Sequence, residues 1–213
     1  MNRSSSKARA LLATAPVIPV ITIERAADAV PLARALIKGG LRVIEITLRT
    51  EAAMAAAAAI VTDVPEAIVG IGTVLSAQDL AQAGKAGVAF AISPGQSPEL
   101  LKAAAEGDLP YVPGIQTASD LTSCVNAGFD VVKFFPAAPA GGLAALNALS
   151  GPFPGVSYCP TGGVGAANAA EWLANPKVIA VGGSWIAPPS DIKQGNWAAI
   201  ENRARAASQL RKA

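Results

Sequence analysis

The 213-residue chain contains no histidine. That absence excludes Ser-His-Asp and Cys-His triads, and zinc or iron sites built on imidazole ligands. Acid–base work near neutral pH must then fall to a tuned carboxylate or lysine, to tyrosine or to water. Cysteine is almost as scarce. Cys124 and Cys159 are far apart, so they form neither a CxxC metal or redox motif nor a disulfide framework. The plainer reading is two small buried apolar residues in a reducing compartment. Aromatic residues supply only 5% of a chain that is 52% apolar, so Ala, Val and Ile carry the excess. That composition suits a buried parallel sheet covered by Ala-rich helices. No run approaches the ~18 apolar residues of a membrane span. The basic start, MNRSSSKARALLATAP, has too short an apolar stretch for a signal peptide, and Pro16 follows at once. A formal charge of +2, scattered along the chain, leaves no nucleic-acid footprint. The expectation is a soluble cytoplasmic protein with neither nucleic-acid nor membrane partners.

What is present repeats. Strands are expected near Val17–Ile23, Arg42–Leu48, Ala67–Gly72, Val88–Ser93, Pro110–Pro113, Asp130–Phe135, Val156–Pro160 and Val178–Gly182. Helical patterns lie between them, at Arg25–Lys38, Glu51–Val61, Ala77–Lys85, Pro98–Glu106, Ala118–Asn126, Gly142–Leu149 and Ala166–Ala174. Trp197–Leu210 closes the chain, and residues 3–13 form an extra N-terminal helix. Gly39-Gly40, Gly84, Gly87, Gly107 and Gly128 sit where left-handed helix stops are wanted. A βα repeat has two usual solutions, an open doubly wound sheet and a closed barrel. The count of eight favours an α/β fold of the closed (β/α)8, or TIM-barrel, kind, with residues 1–213 as one domain. In such a fold the working residues stand at the C-terminal ends of the strands, and the last two loops often hold phosphate.

Polar residues interrupt two apolar strands. In Val131-Val132-Lys133-Phe134-Phe135, side chains alternate, so Val131, Lys133 and Phe135 share one face and Val132 and Phe134 the other. A lysine among valines and phenylalanines loses hydration, which disfavours its ammonium form. A neutral amine is what an imine-forming nucleophile needs. The competing readings are a structural pair with a buried carboxylate and a lysine snorkelling from a strand end. In Val43-Ile44-Glu45-Ile46-Thr47-Leu48-Arg49, Glu45, Thr47 and Arg49 share a face and the isoleucines form the other. Glu45 is either the partner of the lysine or a proton carrier, and Arg49 suits a carboxylate or phosphate. A structural Glu45–Arg49 pair is the alternative. Pro160-Thr161-Gly162-Gly163 and Val181-Gly182-Gly183-Ser184 follow the last two strands, where glycines let successive N–H groups form an anion nest. Each Gly-Gly alone is equally a tight turn. Gly70-Ile71-Gly72 is no dinucleotide fingerprint, because the later glycine of GxGxxG is missing. An amine, a carboxylate, an arginine and an anion nest together suit a phosphorylated keto acid whose ketone forms an imine.

These residues resemble a known family. Glu45-Ile46-Thr47-Leu48-Arg49-Thr50, Gly70-Ile71-Gly72-Thr73, Phe90-Ala91-Ile92-Ser93-Pro94-Gly95, Val132-Lys133-Phe134-Phe135-Pro136, Pro160-Thr161-Gly162-Gly163 and Gly182-Gly183-Ser184-Trp185 are similar to motifs of the class I 2-keto-3-deoxy-6-phosphogluconate (KDPG) aldolases. Members often also act on 4-hydroxy-2-oxoglutarate (KHG). The resemblance covers nearly the whole chain and has no departure at a functional position. It implies cleavage of KDPG to pyruvate and glyceraldehyde 3-phosphate, a step of the Entner–Doudoroff pathway. It further implies Lys133 as the Schiff-base lysine and Glu45 as the general acid–base. Arg49, Thr73 and Pro94 would surround the pyruvyl carboxylate, and Phe135 and Thr161 would line the substrate. Gly162, Gly163, Gly183 and Ser184 would hold the phosphate. The family is typically homotrimeric and needs neither metal nor organic cofactor.

Two other classes compete. A phosphosugar epimerase or isomerase would work without the covalent lysine, although its metal-dependent versions usually use the histidines missing here. A non-catalytic phosphosugar-binding protein would be expected to lose Lys133 or Glu45, and both are present.

Overall fold

The computed structural model describes residues 3–210. Nine short strands are present among the described residues: β1 Val17–Ile21, β2 Val43–Thr47, β3 Ile68–Gly72, β4 Phe90–Ile92, β5 Tyr111–Val112, β6 Gly114–Ile115, β7 Val131–Phe134, β8 Ser157–Pro160 and β9 Val181–Gly183. The helices are α1 Arg3–Leu12, α2 Ala29–Lys38, α3 Ala53–Asp63, α4 Ala77–Lys85, α5 Pro98–Glu106, α6 Ala118–Asn126, α7 Gly142–Ser150, α8 Ala169–Leu173, α9 Pro189–Gln194 and α10 Trp197–Ser208. Local chemistry sets several of these boundaries. Ser76 and Thr117 each accept from the backbone N–H three residues on, at Asp79 and Asp120, whose carboxylates reach back to complete capping boxes. Ser97 caps α5, and Pro98 occupies the first helical position, where its missing N–H costs nothing. Gly40, Gly87 and Gly128 take the expected left-handed conformation after α2, α4 and α6. Gly39 and Gly107 do not, and Gly84 lies inside α4. At Gly39 the need is room, because a Cβ there would lie 2.5 Å from the Ala204 Cβ of α10.

The strands do not close into one eight-stranded barrel. They form a six-stranded parallel sheet, ordered β5-β4-β3-β2-β1-β9, and a three-stranded one, ordered β6-β7-β8. The physical reason lies at both joins. Pro113, the last residue of the expected fifth strand, has no N–H; β5 ends before it and the further strand β6 starts after it, β5 pairing only with β4 and β6 only with β7. On the far side β8 and β9 share no ladder among the described residues; the isolated parallel bridges Tyr158↔Val178 and Thr161↔Gly182 join the two stretches instead. The six-residue α9, in a Pro- and Ser-containing stretch, is a further element without a sequence signal.

The period-two alternation does hold. Val43 and Val131 join an interior cluster with Ile18, Phe90, Ile92, Val112 and Cys159, contributed by both sheets. Ile44, Ile46, Val132 and Phe134 belong to the other cluster, against the helices. Helix α1 fills the interior from the N-terminal ends of the strands with Ala8 and Leu12, both fully buried. Burying one such leucine contributes roughly 1.5–3 kcal/mol. The helix is pinned to both sheets. Ser4 Oγ accepts from the Tyr111 N–H of β5 at 2.9 Å, and Arg9 pairs with Asp130, just before β7, at 2.9 Å. No helix among the described residues is long and apolar enough to cross a membrane.

Candidate active site

The two polar interruptions meet. Glu45 on β2 and Lys133 on β7 both point into the interior, 1% and 3% exposed, and Lys133 Nζ donates to Glu45 Oε1 at 3.1 Å. The partner of Glu45 is thus the lysine. Arg49, exposed beyond the end of β2, has no ion-pair partner among the described residues. A buried ion pair loses much of its Coulomb gain to desolvation and is weak evidence for a stabilising role. Its chemical property is clearer. The ion pair and its neutral tautomer differ by one proton shifted along a hydrogen bond whose N···O distance is 3.1 Å, so Glu45 is placed to take the proton that blocks the lysine lone pair.

Neighbouring residues shape this spot by what they leave out. Gly72, the register partner of Thr47, has no side chain, and a Cβ there would lie 2.0 Å from Glu45 Oε1. Gly114 pairs in register with Lys133 and packs on the Pro94–Gly95 backbone. Cys159, the β8 register partner of Lys133, is buried as the sequence suggested. Burial, with Glu45 adding, pushes its thiol up to about 12, so it stays protonated beside the pair. The ring of Phe135 lies 5.4 Å from Lys133 Nζ, within cation–π range.

The remaining predicted residues follow the C-terminal ends of their strands. Because every pairing and bridge is parallel, those ends lie at one end of the fold. Thr73 follows β3, half-buried, and holds φ 60°, a left-handed conformation that is uncommon outside glycine. Pro94 follows β4 and is half-buried. Thr161 is buried after β8, and Gly182 leaves room for it, since a Cβ there would lie 2.2 Å from Thr161 Oγ1. Gly162 and Gly163 have φ of 92° and 76°, which a side chain would strain. Gly183 ends β9, buried under the Trp185 ring, and Ser184 is exposed beside it. A cavity of about 550 Å³ opens at this end between Thr22, Arg25 and α9, and one of about 330 Å³ reaches Pro94. Among the described residues no cluster of three metal-ligating side chains occurs.

The arrangement of a buried amine, its carboxylate and a glycine-lined rim can be compared with known proteins. Residues 8–203 match the family model for KDPG and KHG aldolase. The chain belongs to that aldolase family. The KHG/KDPG aldolase of Escherichia coli strain K12 is 48% identical over 207 residues, 97% of each chain. The 2-dehydro-3-deoxy-phosphogluconate aldolase of Dickeya dadantii is 46% identical over the same share. Among solved structures, the Legionella pneumophila KDPG aldolase superposes with a TM-score of 0.93 at 44% identity, covering 95% of this chain and 98% of the other. That structure holds pyruvate captured at low pH as a covalent carbinolamine intermediate. The Zymomonas mobilis ZM4 enzyme with 3-phosphoglycerate also gives 0.93, at 42% identity and 98% coverage of both chains.

The interior of this aldolase also holds hydroxyl side chains to which no motif gives a role. Thr47, fully buried, donates to the Ile21 carbonyl at 2.7 Å, and Ser93 and Tyr111 form a buried hydroxyl pair at 2.6 Å. The alternation of β2 already placed Thr47 inside. For Ser93 and Tyr111 no local signal exists, because their meeting depends on the neighbouring strand.

Proposed function

We propose that this chain is a carbon–carbon lyase, a class I aldolase that cleaves KDPG to pyruvate and glyceraldehyde 3-phosphate through an imine on Lys133. The observation that carries this is the buried Lys133–Glu45 pair at 3.1 Å, below a rim of glycines. The carbinolamine in the Legionella relative and the names of the curated relatives support the same chemistry.

Glu45 takes the amine proton, and Lys133 Nζ attacks the C2 ketone to give a carbinolamine. Glu45 gives that proton to the departing hydroxyl, and loss of water leaves an iminium with Glu45 again a carboxylate. Glu45, through a water, removes the C4 hydroxyl proton, and the C3–C4 bond breaks. Its electrons enter the iminium as an enamine, and C4 leaves as the aldehyde of glyceraldehyde 3-phosphate. Protonation of C3, assisted by Glu45, and addition of water at C2 release pyruvate and the amine. The lysine thus stabilises a carbanion that would otherwise be inaccessible.

In this proposal Arg49, Thr73 and Pro94 meet the carboxylate, Phe135 and Thr161 line the substrate, and Gly162, Gly163, Gly183 and Ser184 take the phosphate. The exposed guanidinium of Arg49, without an ion-pair partner among the described residues, and the successive left-handed glycines support those assignments. We further propose one domain over residues 1–213, supported by the interior cluster shared between the sheets, and a cytoplasmic homotrimer working in the Entner–Doudoroff pathway. A solution mass three times that of one chain would support the trimer, and a monomeric mass would overturn it.

Incubation with pyruvate and borohydride, followed by peptide mass spectrometry, tests the chemistry. A pyruvyl adduct on Lys133 is the expected result, and folded protein without it would sink the proposal. The name of the Escherichia coli relative favours a second substrate, KHG, cleaved to pyruvate and glyoxylate, and the ratio of the two kcat/KM values ranks them.

A further inference from the structure

Glu45 and Lys133 stand on different sheets, so no single ladder sets the distance between them. That distance depends on how the two sheets dock. At the β8 side the sheets meet through backbone bridges. At the other side the chain itself crosses from β5 to β6 through Pro113, which can donate no ladder bond. Its carbonyl still accepts from the Lys133 N–H at 2.8 Å, and a side chain supplies the tie back to β4. Ser93, fully buried after β4, accepts from the Gly114 N–H of β6 at 3.1 Å, and its Oγ lies 2.6 Å from Tyr111 Oη. Tyr111 is itself fixed. It is fully buried, its ring stands edge-on to Phe129 at 5.6 Å, and its backbone N–H is held by Ser4 of α1. Gly114 is the register partner of Lys133. A continuous path of contacts therefore runs from the large sheet through Tyr111, Ser93 and Gly114 to the strand position beside the amine. Burial pushes the Tyr111 phenol up, so the hydroxyl stays neutral across the working pH range.

We propose that Ser93 and Tyr111 are positioning residues whose buried hydroxyl pair clamps β6 to β4 across the Pro113 break and so sets the Lys133–Glu45 distance. The inference rests on the aldolase reading above. Neither hydroxyl takes part in the Lys133–Glu45 hydrogen bond, so the pair reaches the amine through Gly114, the register partner of Lys133.

The test uses Tyr111→Phe, Ser93→Ala and the double variant, measured for kcat and its pH profile, KM, melting temperature and the borohydride-trapped pyruvyl adduct. Tyr111→Phe keeps the ring packed on Phe129 and removes only the oxygen. Each single variant is expected to lose about tenfold or more in kcat, because a displacement of a fraction of an ångström between reacting groups is enough. KM is expected to stay within about threefold, and the adduct on Lys133 still forms. The double variant is expected to be no slower than the poorer single one, as for groups acting through one contact. Variants that melt lower but turn over at the wild-type kcat with an unchanged pH profile would overturn the proposal. Additive losses would overturn the shared clamp, and loss of folding in both single variants would assign the pair to stability alone. A wild-type protein that forms no adduct on Lys133 would instead overturn the aldolase reading.

Discussion

Replacing Gly72 by alanine should displace the carboxylate of Glu45 without removing any charged side chain. A Cβ at Gly72 would lie 2.0 Å from Glu45 Oε1 and 2.7 Å from its Cδ and Cγ, whereas non-bonded heavy atoms settle near about 3.5 Å. The oxygen must therefore move by about 1 Å or more, and it is the oxygen that accepts from Lys133. Glu45 is only 1% exposed, so the packed interior offers no easy refuge. Gly72 has no left-handed φ, so alanine suits the backbone and the effect runs through the contact alone. Overpacking of this kind costs about 1–3 kcal/mol of stability. A misplacement near 1 Å at the reacting centre costs about 10²-fold in rate. Pyruvate release in a coupled assay gives kcat, and urea unfolding gives the stability. An alanine variant that turns over within about threefold of wild type, with an unchanged unfolding midpoint, would refute the argument that Gly72 makes room for Glu45.

Two further outcomes follow from the buried groups. Lys133→Met should abolish turnover and destabilise the fold by about 3–5 kcal/mol, because Glu45 then lacks its cation. Adding Glu45→Gln should restore much of the stability and none of the activity, and residual aldol cleavage in Lys133→Met would contradict the imine route. Burial also raises the thiols of Cys124 and Cys159 to about 12 from an ordinary value of 9.0, and raises the phenols of Tyr111 and Tyr158. A group raised on folding contributes stability that is fully present below its unfolded value and is lost as pH climbs through the folded one. The urea midpoint should therefore fall as pH rises from about 9 toward about 12, and neither thiol should react with iodoacetamide in the folded protein near pH 8. Rapid alkylation of the native chain, or a flat alkaline profile, would count against this.

The candidate chemistry was legible because it rests on local rules. Alternation along Val131-Val132-Lys133-Phe134 places the lysine with Val131 and apart from Val132 and Phe134, whatever the strand's neighbours turn out to be. The same rule places Glu45 with Val43, and helix caps such as Ser76, Ser97 and Thr117 act within three residues of themselves. The eight-strand count misled because it treats pairing as automatic. One proline at the position of Pro113 interrupts a ladder that no periodicity can see interrupted, and a six-residue helix such as α9 is too short to carry a period.

By itself the sequence determined which residues face inward, where most helices begin, and that an amine, a carboxylate and two glycine-rich turns share one end of the parallel strands. Only the tertiary structure decided that Glu45 and Lys133, 88 residues apart, meet at 3.1 Å, that Gly72 yields its space to the carboxylate, and that Ser93 and Tyr111 bridge the broken ladder. The reason is the range of the forces involved. Side-chain direction follows from backbone geometry within a few residues, whereas a contact between two sheets depends on the docking of both, which no stretch of chain encodes alone.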